Sequence, residues 1–190
     1  MSQPSILISN DDGIYSDGIY ALWESMSEIG DTIVVAPNTE KSAVGHAITL
    51  SDPIRIEEVS LSCDFTGYAV NGTPADSVKI GVKAIMNSKP DIIISGINHG
   101  ANVGQSLLYS GTISAATEGT FLGIPSIAIS LDALRDCDFT TAKAVAKKVV
   151  NAVLENGLPK DTLLNVNVPK DRKNGIRGYQ VTHQGSIYFK

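Results

Sequence analysis

Short apolar runs that end abruptly in polar or glycine-rich loops recur along this chain, with amphipathic stretches between them. Ile6-Leu7-Ile8 opens onto Ser9-Asn10-Asp11-Asp12-Gly13, which reads as a buried strand running into a polar loop. Ser16-Asp17-Gly18 offers a helix start. Ile19, Leu22, Trp23, Met26 and Ile29 then repeat at helical spacing, and Gly30 suits the position just past a helix end. Residues 32–36 (TIVVA) form a second apolar run, stopped by Pro37. Strands that are apolar on both faces belong in a parallel sheet covered by helices.

The middle of the chain is less regular. Residues 46–58 and 65–70 read as extended pieces with turns between them, a β-excursion or an edge. Thr73 as N-cap and Pro74 at the first helical position start a helix, and Val78, Ile80, Val82, Ile85 and Met86 supply its buried side. Residues 91–95 (DIIIS) are a further strand, followed by a Gly- and Asn-rich loop over 96–104. The pattern turns helical near Thr112 and stays so to about Leu122. Residues 126–131 read as strand, 138–156 as helix capped by Asp138 or Thr140 and ended by Gly157, and 163–168 as a last strand. The predicted fold class is α/β. It is a three-layer, Rossmann-like, mainly parallel sheet of about five parallel strands with a β-excursion.

Composition narrows the classes. The chain has 190 residues, 43% hydrophobic and 18% charged, which excludes disorder and a coiled coil. Its net charge of −5 argues against a nucleic-acid backbone binder, which presents a basic face. Cys63 and Cys137 fit neither a CxxC pair nor a zinc spacing and read as reduced thiols. No basic leader region opens the chain and no apolar run approaches the ~18 residues of a membrane span. A cytoplasmic protein with no membrane association is expected.

Ligands of such sheets bind outside the carboxyl ends of the strands, and polar residues gather there. Asp11 and Asp12 follow the first strand, Ser42 lies in the loop after the second, and Asn98 follows the strand ending at Ser95. Adjacent carboxylates repel each other unless a cation stands between them. Four hard oxygen donors suit Mg²⁺, Mn²⁺ or Ca²⁺ over Zn²⁺; a solvated Asn-Asp-Asp-Gly turn is the plain alternative. Tyr109-Ser110-Gly111-Thr112 opens a helix whose exposed N–H groups form an anion site, with Asn102 on the preceding loop able to donate to a phosphate oxygen. The alternative is an ordinary Ser/Thr N-cap. His99 stands beside Asn98, in reach of a substrate or a proton-donor role, while His46 and His183 read as structural. A dinucleotide GxGxxG, a P-loop and a GxSxG elbow are all missing from the sequence.

Several segments together resemble the survival protein SurE family. They are residues 6–13 with Gly18, Ala36-Pro37 with Lys41-Ser42 and Gly45-His46, the Gly72–Asp76 stretch, residues 95–104, Tyr109–Thr112 and Ala115–Gly119. The likeness runs in order from the first strand to about Val168. It implies a divalent-metal-dependent 5′-nucleotidase acting on nucleoside monophosphates, with 3′-nucleotidase and short polyphosphatase activity. It implies one divalent metal ion per subunit, Mg²⁺ or Mn²⁺, on Asp11, Asp12, Ser42 and Asn98, with Asp11 or Asp12 as the catalytic base. Phosphate contacts fall on Asn102, Ser110, Gly111 and Thr112, and Gly72-Thr73-Pro74 lies near the substrate. A homodimer or homotetramer is expected. Residues 1–168 form the catalytic domain, and 169–190 are expected to begin a C-terminal β-hairpin extension that is cut short. Two other classes share parts of the pattern. A receiver-like signalling domain needs an acceptor Asp where Gly96-Ile97-Asn98 stands, and a non-catalytic nucleotide-binding module needs no complete ligand set.

Overall fold

The computed structural model describes residues 3–60, 65–135, 137–170 and 175–185. Seven strands, β1 (Ser5–Ser9), β2 (Asp31–Pro37), β3 (Ile56–Ser60), β4 (Thr66–Val70), β5 (Ile92–His99), β6 (Ser126–Asp132) and β7 (Leu164–Pro169), form one sheet in the order β3-β4-β2-β1-β5-β6-β7. Every neighbouring pair is parallel except β3–β4. The parallel strands therefore number six, one more than the apolar pattern suggested. The addition is β4, which the sequence assigns to an excursion but which pairs with β2 through Val35–Tyr68, Ala36–Ala69 and Pro37–Val70. Only β3 lies outside that array, as an antiparallel edge.

Among the described residues four α-helices cover the sheet: α1 (Asp17–Met26), α2 (Pro74–Ile80), α3 (Gly111–Phe121) and α4 (Thr140–Asn156). Alternate residues of the inner strands feed two cores. Ile6, Ile8, Ile92 and Ile94 face one side with Ile19, Leu22 and Met26 of α1 and Ala142, Val145 and Val150 of α4. Leu7, Val35 and Ile93 face the other with Val78 of α2 and Ala115 of α3. Each buried Ile, Leu, Val or Met among these contributes about 1.5–3 kcal/mol relative to exposure and each Ala less, so the two-sided pattern fixes the three layers.

Helix starts follow the sequence closely. Ser16 caps α1 by accepting from the Ile19 N–H. Thr73 and Asp76 form a reciprocal capping box on α2, with Pro74 at its start. Helix α1 ends at Met26, short of Gly30, and α2 runs into a single π-helical turn, Gly81–Ile85. Helix α4 departs from the expectation: its N-cap is Phe139, with no side-chain cap, rather than Asp138 or Thr140, although the Thr140 N–H bonds Asp138 Oδ1 at 2.8 Å.

The larger departure concerns β5. The strand does not stop at Ser95 but continues to His99, with one irregularity: Ser95 pairs with Ala128, and Asn98 with Ser130. Gly96 makes this passage possible. It sits at φ +139°, and a Cβ there would lie 2.3 Å from the Ile129 carbonyl oxygen. Residues 175–185 contain no strand, so the expected hairpin does not appear among the described residues. Cys63 and the remainder of 169–190 lie partly or wholly outside them.

Candidate functional site

Strand order locates the site. From β1 the chain moves outward to β2 and β4, and from β5 outward the opposite way to β6 and β7. The crevice between the carboxyl ends of β1 and β5 is thus the switch point where such sheets take ligands. Asp11 and Asp12 leave β1 there, and Asn98 stands at the end of β5.

Asp11 is buried, and its carboxylate reaches the first turn of α3. The Thr112 hydroxyl donates to Asp11 Oδ1 at 2.5 Å. Burial pushes the Asp11 carboxyl up to about 6; the Thr112 hydroxyl pulls it back and the neighbouring Asp12 charge pushes it further. Gly111 is what lets the carboxylate in, because a Cβ at 111 would lie 2.5 Å from Asp11 Cβ. Asp12 is also raised by burial, against a lowering from His99, whose Nδ1 stands 3.4 Å from Asp12 Oδ2. That oxygen is buried yet has no aligned hydrogen-bond partner among the described residues. His99 packs edge-on against Phe139, with ring centroids 5.4 Å apart.

The Asn98 amide is oriented by its Nδ2 donating to the Gly100 carbonyl at 2.8 Å, which leaves Oδ1 as the acceptor. The loop after β2 is drawn to the site by its backbone: Lys41 N–H donates to the Asp11 carbonyl at 2.7 Å, and Gly45 N–H to the Tyr109 carbonyl at 3.0 Å. Ser42 lies between these anchors. Its side chain is exposed and donates to Glu40 Oε1 at 2.6 Å, so the structure brings Asp11, Asp12 and Asn98 to one crevice but leaves the Ser42 hydroxyl on Glu40.

The expected anion contacts have other partners here. Ser110 is the N-cap of α3 and accepts from Ile113 N–H at 3.1 Å. Thr112 serves Asp11. The Asn102 side chain donates to Ser130 Oγ at 3.0 Å. The Thr73 hydroxyl donates to the Ala47 carbonyl at 2.7 Å, and Asp76 accepts from the Thr49 N–H and hydroxyl, so the Gly72–Asp76 segment clamps the chain leading away from Ser42.

Two functional positions escaped the sequence reading. Asn167 grips the Asn102 peptide from both sides, accepting its N–H at 2.8 Å and donating to its carbonyl at 3.0 Å. Asn165 donates to the same carbonyl at 2.8 Å. The signal was present: asparagines alternate with Leu164, Val166 and Val168 in a strand otherwise suited to burial.

The residues present suit a hard divalent cation. Holding two adjacent carboxylates away from water is costly without one, the buried Asp12 Oδ2 accepts no aligned hydrogen bond among the described residues, and the Asn98 acceptor adds a third oxygen. Among the described residues no three His, Cys, Asp or Glu side chains cluster to hold a metal, so such a site depends on the Asn98 amide and the Ser42 hydroxyl to complete it. None of the helices formed by the described residues is long and apolar enough to cross a membrane.

Comparison with known proteins identifies the family and the fold. The family model described as "Survival protein SurE" matches residues 6–190. A 5′-nucleotidase SurE of Caldanaerobacter subterraneus subsp. tengcongensis is 50% identical over 190 residues, which covers 100% of this chain and 74% of that protein. A 5′-nucleotidase SurE of Syntrophobacter fumaroxidans is 49% identical over 182 residues, 96% of this chain and 73% of that one. The crystal structure of a SurE protein from Aquifex aeolicus superposes with a TM-score of 0.88 at 43% identity, covering 98% of this chain and 75% of that one.

Proposed function

The chain belongs to the SurE family, and on that premise we propose that it is a divalent-metal-dependent 5′-nucleotidase, releasing inorganic phosphate from nucleoside 5′-monophosphates. The observation that carries this is the adjacent Asp11–Asp12 pair at the β1/β5 switch point, Asp11 buried and Asp12 partly so, with Asp12 Oδ2 accepting no aligned hydrogen bond among the described residues and facing only His99 Nδ1 at 3.4 Å. Asp11, Asp12 and Asn98 would hold the ion, with the Ser42 hydroxyl after it turns from Glu40. When bound there, a Mg²⁺ or Mn²⁺ ion supplies charge neutralisation and polarisation of a phosphate ester.

The chain's own groups divide the remaining work. Asp11 Oδ1 already accepts from Thr112, so we assign the proton of the attacking water to Asp12, whose Oδ2 accepts no aligned hydrogen bond among the described residues and has His99 Nδ1 3.4 Å away. Water then attacks phosphorus, the bond from phosphorus to the nucleoside oxygen breaks, and that oxygen takes the proton held on Asp12, so the nucleoside leaves as the free alcohol. The N-terminal end of α3 at Ser110, Gly111 and Thr112 favours the negative charge of the phosphoryl group. Asn102, pinned at its backbone by Asn167 and at its amide by Ser130, is the further phosphate contact that the family resemblance implies. Activity on 3′-monophosphates and short polyphosphate, assembly as a dimer or tetramer, one ion per subunit and a cytoplasmic location complete the reading; the family resemblance supports them.

The test is phosphate release from AMP and GMP with Mn²⁺. The wild-type chain is expected to turn over, and Asp12→Asn to lose about 100-fold or more in rate, the scale of a missing general base. Full activity in Asp12→Asn would overturn the assignment.

A further inference from the structure

A buried carboxylate outside the site has no part in the chemistry above. Glu118, on the third turn of α3, is 5% exposed. Its two oxygens are held from two other segments: Oε2 lies 3.0 Å from His46 Nε2, and Oε1 lies 3.2 Å from Lys79 Nζ on α2. The His46 ring also stacks on Phe121, one turn further along α3, at 5.4 Å and 16°. A carboxylate this deep is sustained only by such partners, and breaking one of them leaves an uncompensated buried charge.

His46 is the residue at which the loop after β2 settles onto the helical layer. Upstream, Gly45 is bonded to the Tyr109 carbonyl and Lys41 to the Asp11 carbonyl. Downstream, Ala47 and Thr49 are bonded to Thr73 and Asp76. Between Lys41 and Gly45 the backbone makes two left-handed steps, Ala43 at φ +58° and Gly45 at φ +56°. A short loop of that shape is held by its ends, and its downstream end is fastened by side chains of α2 and α3. The Ser42 hydroxyl rides on this loop.

We propose that Glu118 is a positioning residue of the candidate metal site: through His46 it fastens the 41–49 segment to α3 and so sets where Ser42 stands. The effect on metal rests on the reading of Ser42 as a ligand; the fastening itself does not.

The experiment uses the full chain and three variants, Glu118→Ala, Glu118→Gln and His46→Ala. Hydrogen exchange is followed without metal, Mn²⁺ binding by calorimetry, and AMP hydrolysis as a function of Mn²⁺. In Glu118→Ala and His46→Ala, amides 43–49 are expected to exchange about tenfold faster while β1 and β5 stay protected. Mn²⁺ affinity should fall about tenfold, as for lost outer-shell partners. The rate at saturating Mn²⁺ should stay within about twofold of wild type, so that added metal rescues the variants. Glu118→Gln, which keeps an acceptor for His46, should fall between. Unchanged exchange at 43–49, or faster exchange spread evenly over the sheet, overturns the proposal. So does a tenfold loss at saturating Mn²⁺ with affinity intact. If Glu118→Ala does not fold, His46→Ala, at a partly exposed position, decides alone. A wild-type chain that takes no Mn²⁺ defeats the metal reading instead, and local exchange still settles the fastening.

Discussion

The Thr112 hydroxyl donates to Asp11 Oδ1 at 2.5 Å, tying the first loop of the chain to a helix that begins 100 residues later. The bond is made in a buried setting and to a carboxylate, where hydrogen bonds are worth most. Thr112→Val removes the donor and keeps the shape. It should lower stability at pH 7 by about 1.5–3 kcal/mol, read from urea unfolding with chelator present. Thr112→Ser should retain most of it.

Asp11 itself gives a stability profile of unusual sign. Its carboxyl is raised from 3.8 to about 6 in the folded chain, so between those values the native state holds more protons than the unfolded one. Stability therefore declines as pH rises through that window and stays lower above it. The shift corresponds to about 3 kcal/mol. Metal-free Asp11→Asn should accordingly unfold at higher temperature than wild type at pH 7, with the advantage fading toward pH 4. Thermal scans across that range check it, and parallel curves would contradict the burial argument.

The same burial of charge, with the repulsion from Asp12 added to it, makes the ion a stabiliser. Mn²⁺ at about 100 times its dissociation constant should add about 2.7 kcal/mol to wild type, seen as a rise in melting temperature that chelator reverses. Chelator should also abolish phosphate release from AMP. Asp12→Asn should show little of the thermal response.

Gly111→Ala tests the packing of the carboxylate. The new methyl would stand 2.5 Å from Asp11 Cβ, too close for any side-chain rearrangement to absorb, so Asp11 or the start of α3 must move. A cost of about 1–3 kcal/mol and a loss of AMP turnover are expected, from unfolding curves and initial rates on the same preparation.

Asn167→Ala leaves the Asn102 N–H without its acceptor and weakens the hold on its carbonyl. Stability should drop by about 1–3 kcal/mol, and KM for AMP should rise more than kcat falls, since the change acts on the loop beside the anion end of α3.

Those expectations mark where the sequence was informative. The change from apolar run to polar loop is a local signal, and it located Asp11, Asp12 and the neighbourhood of Asn98 because strand ends define the ligand rim. The caps at Ser16, Thr73 and Ser110 were equally local. What escaped depends on partners distant in the chain. Strand β4 was legible as an extended piece, but its place in the parallel array declares itself only by pairing with β2. Asn167 acts on a residue 65 positions away. The Ser42 side chain, on an exposed loop beside Glu40, has a nearer acceptor than the site.

The irregularity in β5 has a geometrical consequence. Side chains of a strand alternate between the two helical layers, and one additional residue reverses that alternation. Ile92 and Ile94 face the α1/α4 layer, and so does Ile97, three residues on rather than two. From Ile97 onward the parity of β5 is inverted. Were the same residues paired in regular register, with no irregularity, Asn98 would point into the layer of α1 and α4, away from the helix that holds Asp11. With it, Asn98 pairs with Ser130 and takes the side of α3. A single inserted position in the middle of a buried strand thus decides on which surface of the sheet the third oxygen donor emerges.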